Sequence, residues 1–414
     1  MVSIDEARRI FFAALGKHVE RTEILPIDQA LGRITARDQI SAVDVPDFRR
    51  SAMDGYAVRS QDVQGASPSQ PVRLRLAGEV AMGREAGLQL REGEAAYVTT
   101  GGWVPDGADA VVMVENTRSA GDHEVDIMEE VHSGKNVISP GDDVRRGERV
   151  LPGGRLIRPE DISALAGVGQ LEVEVFEKPK VAILTTGDEL IPADQKPKPG
   201  QVRDSNSWGL AAAITMDGGR PFVRSQIPDE MDAFRAILRH ALEHHDMLIV
   251  SGGSSMGKRD YTPDLIAELA PLMVYGIEIK PGKPTVLTVT EDGKPIIGLP
   301  GNPVPALLIY GLFGRPALRV RSGLKHWLPP ARIEAVLSRD WQTPKQRDEF
   351  IRVRLVRSDS GYLAEPIPGH SGFVTHLTHA DGVVFGPRNQ MLRQGTPVAV
   401  LPFAGSAFGG ETNG

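Results

Sequence analysis

The sequence predicts a multidomain protein in which a doubly wound, parallel α/β domain is combined with β-rich domains. Between residues 178 and 329, apolar strands alternate with helical segments, a pattern typical of a parallel sheet covered by helices. On either side, within residues 45–144 and 330–410, apolar and polar residues alternate with a period of two, which indicates β-structure. A chain of 414 residues also exceeds the size at which a single core normally stops growing. We therefore expect several domains.

Composition narrows the class of protein. The hydrophobic fraction of 41% suffices for soluble cores, and the formal net charge of −7 argues against bulk binding of nucleic acid. The absence of cysteine excludes disulfides, thiolate zinc sites and cysteine nucleophiles, and it suits a reducing compartment. No signal peptide and no apolar run long enough to cross a bilayer is visible. We expect a cytoplasmic protein with neither membrane nor nucleic-acid partners.

The N-terminal segment predicts a mixed α and β unit. Ser3 and Glu6 form a capping box that opens a helix over residues 3–20. Short strands and a small helix are expected between residues 22 and 40. Period-two alternation then begins at Val72, and Gly-Pro-Asp punctuation divides the following β segments. Residues 145–177 return to a mixed pattern, with a short helix after Pro159 and a strand near Val173.

The pattern of the sequence changes after Lys180, where predicted strands and helices begin to alternate. Helices are expected over residues 206–216, 229–244 and 260–269, and from 304. Strands are expected at residues 181–184, 222–227, 247–250, near 274–279, at 286–289, and, after an Asp292-Gly293 hairpin, at 296–299.

The ends of these strands predict where a ligand binds. Doubly wound sheets bind ligands beyond the carboxyl ends of their strands. This rule selects the loops at residues 185–189, 251–253 and 300–303, and the turn at 280–283 is a fourth candidate.

The loop after strand 247–250 is nearly a P-loop. Gly252, Gly257 and Lys258 fit the spacing G-x-x-x-x-G-K, but Arg259 stands where Ser or Thr should hold Mg²⁺. Because arginine cannot ligate a cation, a nucleoside-triphosphatase is disfavoured. Taken alone, the loop is more simply an ordinary glycine turn. In a strand–loop–helix context, such a loop can also present backbone N–H groups to an anion.

Charged residues recur near these strand ends. Carboxylates beside a phosphate-binding loop suggest Mg²⁺, which prefers oxygen ligands; they are Asp188, Glu189, Asp229 and Asp260. Lys280 and Lys283, held in a proline- and glycine-rich turn, suggest a site for an oxyanion. The alternative is that the acids cap helices and the lysines are solvated turn residues.

The histidines give no catalytic pattern. His240, His244 and His245 lie on one predicted helix, but Ala241 replaces the Glu of H-E-x-x-H. A solvated helix face is therefore favoured over a zinc site.

Five motifs in one order resemble the MoeA family of molybdopterin molybdenumtransferases, to which the E domain of gephyrin is related. They cover nearly the whole chain, and their combination is specific although each alone is weak. They are Ser51-Ala-Met-Asp-Gly-Tyr-Ala-Val58, Thr185-Thr-Gly-Asp-Glu-Leu190, Ser251-Gly-Gly253 with Asp260-Tyr261, Lys280-Pro-Gly-Lys-Pro284 and Gly298-Leu-Pro-Gly-Asn-Pro-Val304.

The resemblance implies a four-domain fold and a reaction. The domains would be an elongated mixed α+β domain (1–44 and 145–177), a β domain (45–144), an α/β molybdopterin-binding domain (178–329) and a C-terminal β barrel (330–414). It further implies an elongated homodimer. The implied reaction uses adenylylated molybdopterin and molybdate, with Mg²⁺ or another divalent cation, and releases AMP. Molybdopterin adenylyltransferase and molybdoenzyme-maturation factors are the partners expected from this role.

The resemblance also assigns site residues. As catalytic residues it implies Asp54, Thr100, Asp229, Asp260, Lys280 and Lys283, and as metal ligands Glu189, Asp229 and Asp260. Asp143 is a weaker assignment. Residues implied to bind the pterin substrate are Thr186, Gly187, Asp188, Glu189, Ser251, Gly252, Gly253, Ser254, Pro300, Gly301, Asn302 and Pro303.

Several positions depart from the family pattern and make the edge of the site more basic. They are Arg49 and Arg50 before Ser51, Lys258 before Asp260, and Trp103 after the Thr-Gly-Gly turn.

Two other functions remain open at this point. One is a scaffold that binds and delivers the cofactor without catalysis, although no additional domain is fused here. The other is the related adenylyltransferase, which resembles only the α/β domain, so that residues 1–177 and 330–410 argue against it.

Overall fold

The computed structural model describes residues 1–227, 231–252, 262–325 and 331–403. No helix in these ranges is long and apolar enough to cross a membrane. A π-helical turn, Tyr310–Gly314, joins the last two helices. The α-helices are α1 (Ile4–Ala14), α2 (Pro159–Gly167), α3 (Asn206–Met216), α4 (Met231–His244), α5 (Thr262–Leu269), α6 (Pro303–Ile309) and α7 (Arg315–Arg321).

The predicted α/β unit is built on one six-stranded sheet. Its spatial order is Arg220–Ile227, Lys180–Thr186, Met247–Ser251, Pro295–Leu299, Val286–Val289 and Val274–Tyr275. The first four strands pair in parallel, and the last two are joined to the sheet by antiparallel pairings. The doubly wound fold is thus confirmed, and the predicted hairpin adds the antiparallel edge. Buried apolar clusters cover both faces, so the central strands are apolar throughout.

Helix α1 begins as predicted but ends early. The Ser3 hydroxyl accepts a hydrogen bond from the Glu6 amide at 3.2 Å, which caps the helix. The helix stops at Ala14, short of the predicted residue 20, and Gly16 then packs on the backbone of the Asp292–Gly293 hairpin. A Cβ on Gly16 would lie 2.5 Å from the Gly293 Cα atom. The buried α1 residues Ile4, Ala7 and Phe11 join the core of the α/β unit.

The elongated unit combines two distant pieces of the chain. Strand Thr22–Pro26 pairs antiparallel with Glu172–Phe176, and Gln39–Ile40 pairs with Arg149–Leu151. Helix α2 covers a small apolar core that contains Leu165, Val173 and Val175. At the end of the first strand pair, Arg21 forms ion pairs with Glu177 and with Asp246, which precedes strand Met247–Ser251 of the α/β unit.

The β unit contains a second six-stranded sheet. Its spatial order is Ala110–Met113, Gly55–Val58, Glu94–Val98, Val72–Glu79, Glu124–Ile127 and Thr117–Ser119. A small ladder, Arg50–Ser51 with Val137–Ile138, lies beside it.

The C-terminal unit is a closed five-stranded barrel, which confirms the β barrel implied by the family resemblance. Its strands are Ile333–Leu337, Asp348–Ser358, Gly361–Pro366, Gly382–Gly386 and Pro397–Pro402, and the pairing of Asp348–Ser358 with Gly382–Gly386 closes it. Strand Ile279–Lys280 pairs with Asp348–Glu349 and so extends this sheet. The single strand predicted near residues 274–279 is therefore wrong. The chain leaves the α/β sheet after Tyr275, turns at Gly276 with φ +82° and joins the barrel.

Candidate functional site

Three parallel strands of the α/β sheet end side by side and form the floor of a cavity. The register pairs Thr185 with Ser251, and Ser251 with Leu299, so their loops emerge at one edge. All five residues of strand Met247–Ser251 are buried, which holds the Ser251 hydroxyl rigidly at the strand end. This agrees with the edge that the sequence predicted for ligand binding.

Gly252 lets the central loop leave the strand next to its neighbour. Its φ of +102° lies in the left-handed region, and an added Cβ would lie 2.1 Å from the Thr186 carbonyl oxygen. Its amide faces the Leu299 carbonyl at 3.4 Å. The close approach therefore requires glycine at this position.

We call the space above these strand ends the strand-end cavity, with a volume of about 470 Å³. The predicted site residues that line it are Thr186, Glu189, Ser251, Gly252 and Pro300 to Pro303. Its full lining is Thr185, Thr186, Glu189, Leu190, Val202, Arg203, Asp204, Ser205, Asn206, Ser251, Gly252, Pro284, Pro300, Gly301, Asn302, Pro303, Gly372 and Val374.

Asn206 is the residue that ties the cavity together, and the sequence analysis missed it. Its Nδ2 atom donates to the Ser251 hydroxyl at 2.9 Å and to the Gly301 carbonyl at 2.8 Å. Because a carbonyl only accepts, this bond fixes the orientation of the amide. The Asn206 Oδ1 atom is then a buried acceptor that has no partner among the described residues.

Asp204 positions the start of α3, on which Asn206 lies. Its buried carboxylate accepts from the Thr185 hydroxyl at 2.7 Å and from the Ser207 amide at 3.0 Å. The polar run Asp204-Ser205-Asn206 at a predicted helix start was the available signal for this wall.

Residues of the C-terminal unit form another wall of the cavity, and no local sequence pattern predicts this contact. The Asn302 amide donates to the Ser371 hydroxyl at 2.9 Å, and Gly372 and Val374 line the cavity. Ser371 follows Asn302 by 69 residues. Only the folding of the barrel brings these residues together.

The remaining predictions in this region fall into two groups. Gly187 and Asp188 belong to the same loop as Glu189 but do not line the cavity. The Glu189 carboxylate lies over Gly187, whose added Cβ would be 2.7 Å from the Glu189 Oε2 atom. Four predicted residues, Asp229, Gly253, Ser254 and Asp260, lie outside the described residues, as do Lys258 and Arg259.

The two predicted lysines occupy different surroundings. The Lys280 Nζ atom forms an ion pair with Glu349 Oε1 at 2.8 Å, and the other oxygen of that buried carboxylate accepts from the Trp341 indole at 2.9 Å. Lys280 does not line the cavity. Lys283 is partly exposed and precedes Pro284, which does line it.

Asp54 and Thr100 form a separate polar pair on the β unit. The amide and hydroxyl of Thr100 both donate to Asp54 Oδ1, at 2.6 and 2.9 Å. These two hydrogen bonds, the amide first, hold the pKa of Asp54 below its ordinary value. Neither residue lines the strand-end cavity.

Hydrogen bonds between the two motifs of the β unit hold this pair in place. The Gly101 amide donates to the Ser51 carbonyl and the Ser51 amide to the Gly102 carbonyl, each at 2.8 Å. Asp143 lies in an exposed turn, where its amide donates to Val45.

The basic and aromatic residues that depart from the family pattern adjoin, in sequence, the two motifs that carry Asp54 and Thr100. Arg49 donates to the Ala108 carbonyl at 2.9 Å and lies 3.5 Å from Asp106. Trp103 stacks on Phe48 with a centroid distance of 4.5 Å. Arg50 is half-buried and forms a β-bridge with Trp103.

Comparison with family profiles covers most of the chain. Residues 2–169 match the profile described as MoeA N-terminal region (domain I and II). Residues 182–320 match the probable molybdopterin binding domain, and residues 334–403 match the MoeA C-terminal region (domain IV).

Curated relatives and solved structures match over similar lengths. A molybdopterin molybdenumtransferase from Nostoc sp. is 33% identical over 97% of this chain and 94% of its own length. One from Staphylococcus aureus is 31% identical over 87% and 86%. The crystal structure of a molybdopterin biosynthesis MoeA protein from Pyrococcus horikoshii superposes with a TM-score of 0.81 at 35% identity, and the match covers 98% of this chain and 100% of that one.

Proposed function

Because the chain belongs to the MoeA family, we propose that it is a molybdopterin molybdenumtransferase. It takes adenylylated molybdopterin and molybdate, inserts molybdenum into the pterin dithiolene and releases AMP. The observation that carries this proposal is the strand-end cavity, where a glycine loop, a hydroxyl and a carboxylate converge at the carboxyl edge of a parallel sheet.

The contribution of the protein is mainly to orient the two substrates. The cysteine-free chain supplies no thiolate, and the sulfurs that receive the metal belong to the pterin. Asn206 joins the loops at Ser251 and Gly301 before substrate arrives, so little reorganisation is needed on binding. The Asn302–Ser371 bond fixes the loop at residues 300–303 against the barrel in the same way.

The donor set of the cavity fits Mg²⁺. Hard divalent cations prefer carboxylate, amide and hydroxyl oxygens, and the cavity is lined by Glu189, Ser251 and Asn302, which carry such groups. Glu189 would hold the ion, together with Asp229 and Asp260 as the family resemblance implies. When bound, Mg²⁺ would neutralise charge on the phosphate oxygens of the substrate.

The homodimer that the family resemblance implies would give Asp54 a place in the site. Asp54 and Thr100 belong to the β unit, away from the lining of the strand-end cavity. In the proposed dimer the second subunit brings this pair to the cavity, so that each site is built from two chains. Lys280 and Lys283 remain proposed contacts for molybdate, and a cytoplasmic location and the pathway partners named above remain predictions.

The test is the release of AMP from adenylylated molybdopterin with molybdate present or withheld. We expect release that depends on molybdate and on Mg²⁺, and a loss of about ten- to a hundredfold in Glu189→Gln, because a charge-assisted contact contributes about 1.5–3 kcal/mol. Asp194→Asn, an exposed carboxylate five residues further along, is the control and should behave as wild type. Tight binding of the substrate without AMP release would instead favour a scaffold.

A further inference from the structure

The last turn of α4 carries three side chains that could hold a metal ion. His240, Glu243 and His244 are all exposed, and each has a ligand atom within 4.8 Å of the other two. The sequence prediction of a solvated face agrees with their exposure. The sequence analysis overlooked Glu243, because it considered only the pattern H-E-x-x-H, although positions i, i+3 and i+4 of a helix share one face.

Hydrogen bonding prepares His244 for ligation. Its Nδ1 atom lies 2.9 Å from the His240 carbonyl oxygen. A carbonyl only accepts, so in the neutral ring Nδ1 carries the proton and the lone pair is on Nε2. Metal-binding histidines commonly have their second nitrogen fixed in this way.

The other two ligands are also in place. The imidazoles of His240 and His244 lie side by side, with centroids 4.2 Å apart. Glu243 makes no ion pair with any described residue. The opposite face of α4 packs Phe234, Leu238 and Ala241 into the core, so the backbone under the ligands is rigid.

Electrostatics favours a cation at this end of the helix. The carbonyl groups of the last turn carry partial negative charge, and Glu243 adds a full one. Two imidazoles and one carboxylate suit borderline ions such as Zn²⁺, whereas Mg²⁺ prefers oxygen ligands alone.

We propose that His240, Glu243 and His244 form a surface site for a divalent transition ion of the Zn²⁺ type. Helix α4 has 14 residues, so this site lies roughly 20 Å along the helix from the edge of the sheet that bears the strand-end cavity. It is separate from the proposed Mg²⁺ site. The spacing H-x-x-E-H also occurs in a class of zinc peptidases, but here all three ligands are on the solvent-exposed face. We therefore assign the site a structural role, in which the ion stabilises the end of the helix, and we assign it no hydrolytic activity.

Calorimetric titration of the full chain with Zn²⁺ in excess Mg²⁺ tests the proposal. Wild type should bind one Zn²⁺ ion. His240→Gln and His244→Gln should each weaken this binding by more than about tenfold, because loss of a residue that only hydrogen-bonds to a metal ligand already costs about that much. Glu243→Gln should weaken it less. His123→Gln, an exposed histidine on the β unit, is the matched control and should titrate as wild type.

Thermal denaturation gives a second readout that does not depend on activity. Binding to the folded state raises Tm, so Zn²⁺ should raise the Tm of wild type and His123→Gln but not of the two ligand variants. Glutamine favours helices, so folding should persist. His244→Gln loses the hydrogen bond to the His240 carbonyl and could unfold for that reason. His240→Gln keeps this bond, because the carbonyl belongs to the backbone, and so it decides the result. Unchanged stoichiometry and affinity in His240→Gln would overturn the proposal.

Discussion

Asp54 shows how two hydrogen bonds from one residue can lower the pKa of a carboxyl group. Both donors of Thr100 reach the same oxygen, and they lower the pKa of the carboxyl group. A carboxyl group with a lowered folded-state pKa stabilises the fold above the ordinary aspartate pKa, and this contribution is lost as the pH falls through the lowered value. The two hydrogen bonds thus extend the ionised range of Asp54 to more acidic pH.

Replacing Thr100 by valine should raise the pKa of Asp54 toward its ordinary value. The change removes the hydroxyl donor and leaves the amide donor, so the shift is partial and the acid limb of any step that needs ionised Asp54 moves to higher pH. NMR titration of the Asp54 carboxyl carbon would measure it.

Thr99→Val is the control for this substitution. The Thr99 hydroxyl is buried without a partner among the described residues, so its removal should leave the titration unchanged and the free energy of unfolding unchanged or higher. An identical titration curve for Thr100→Val and wild type would show that the hydroxyl does not set the pKa.

Lys280→Ala should destabilise the fold. Among the described residues, it leaves the buried Glu349 carboxylate with the Trp341 indole as its side-chain donor. Because Lys280 is half-exposed, we expect a loss of about 1–2 kcal/mol in the free energy of unfolding, measured by denaturant titration. In a Glu349→Gln background the same change should cost less. Unchanged stability combined with poorer half-saturation by molybdate would instead support the substrate contact that the family resemblance implies.

At the scale of the element, two glycines of the strand-end cavity should differ sharply on substitution. Gly252→Ala places a Cβ against the Thr186 carbonyl at a positive φ, so the loop must move. We expect destabilisation of about 1–3 kcal/mol and weaker substrate binding. A Cβ on Gly301 would find only ordinary contact, 3.6 Å from the Gly252 Cα atom.

Gly301→Ala is therefore the matched control and should retain wild-type stability. Thermal melts and substrate titration of both variants give the comparison. Equal stability of the two would mean that the loop after Ser251 tolerates a side chain and that close packing does not define it.

At the scale of the molecule, the proposed homodimer predicts complementation. Asp54→Ala and Glu189→Gln damage the β unit and the strand-end cavity respectively. If a site combines these parts from two subunits, each mixed dimer has one site with both lesions and one intact site. Half the dimers are mixed after random exchange, so AMP release should recover to about a quarter of wild type. No recovery, with exchange confirmed by mass spectrometry, would show that each chain builds its own site.

Local patterns determined much of this protein. The buried run ending at Ser251, the glycine that follows it and the two-residue hairpin signal at Asp292 are consequences of short-range sterics and hydrophobicity, so the doubly wound fold and most of its strands could be predicted. The five family motifs predicted the reaction, because they are short stretches of sequence that occur together in one order. The end of α1 was misjudged, since the contact of Gly16 with Gly293 joins residues far apart in sequence.

Tertiary structure alone decided which side chains meet. Asn206 became the link between two loops only when the start of α3 was placed above Ser251, and Ser371 reached Asn302 only through closure of the barrel. Lys280 was predicted as a cation at a ligand site, yet its strand joins the barrel and places it on Glu349. In each case the partner is selected by chain packing over long sequence separations. The types and spacing of the residues therefore do not predict which of them will be in contact.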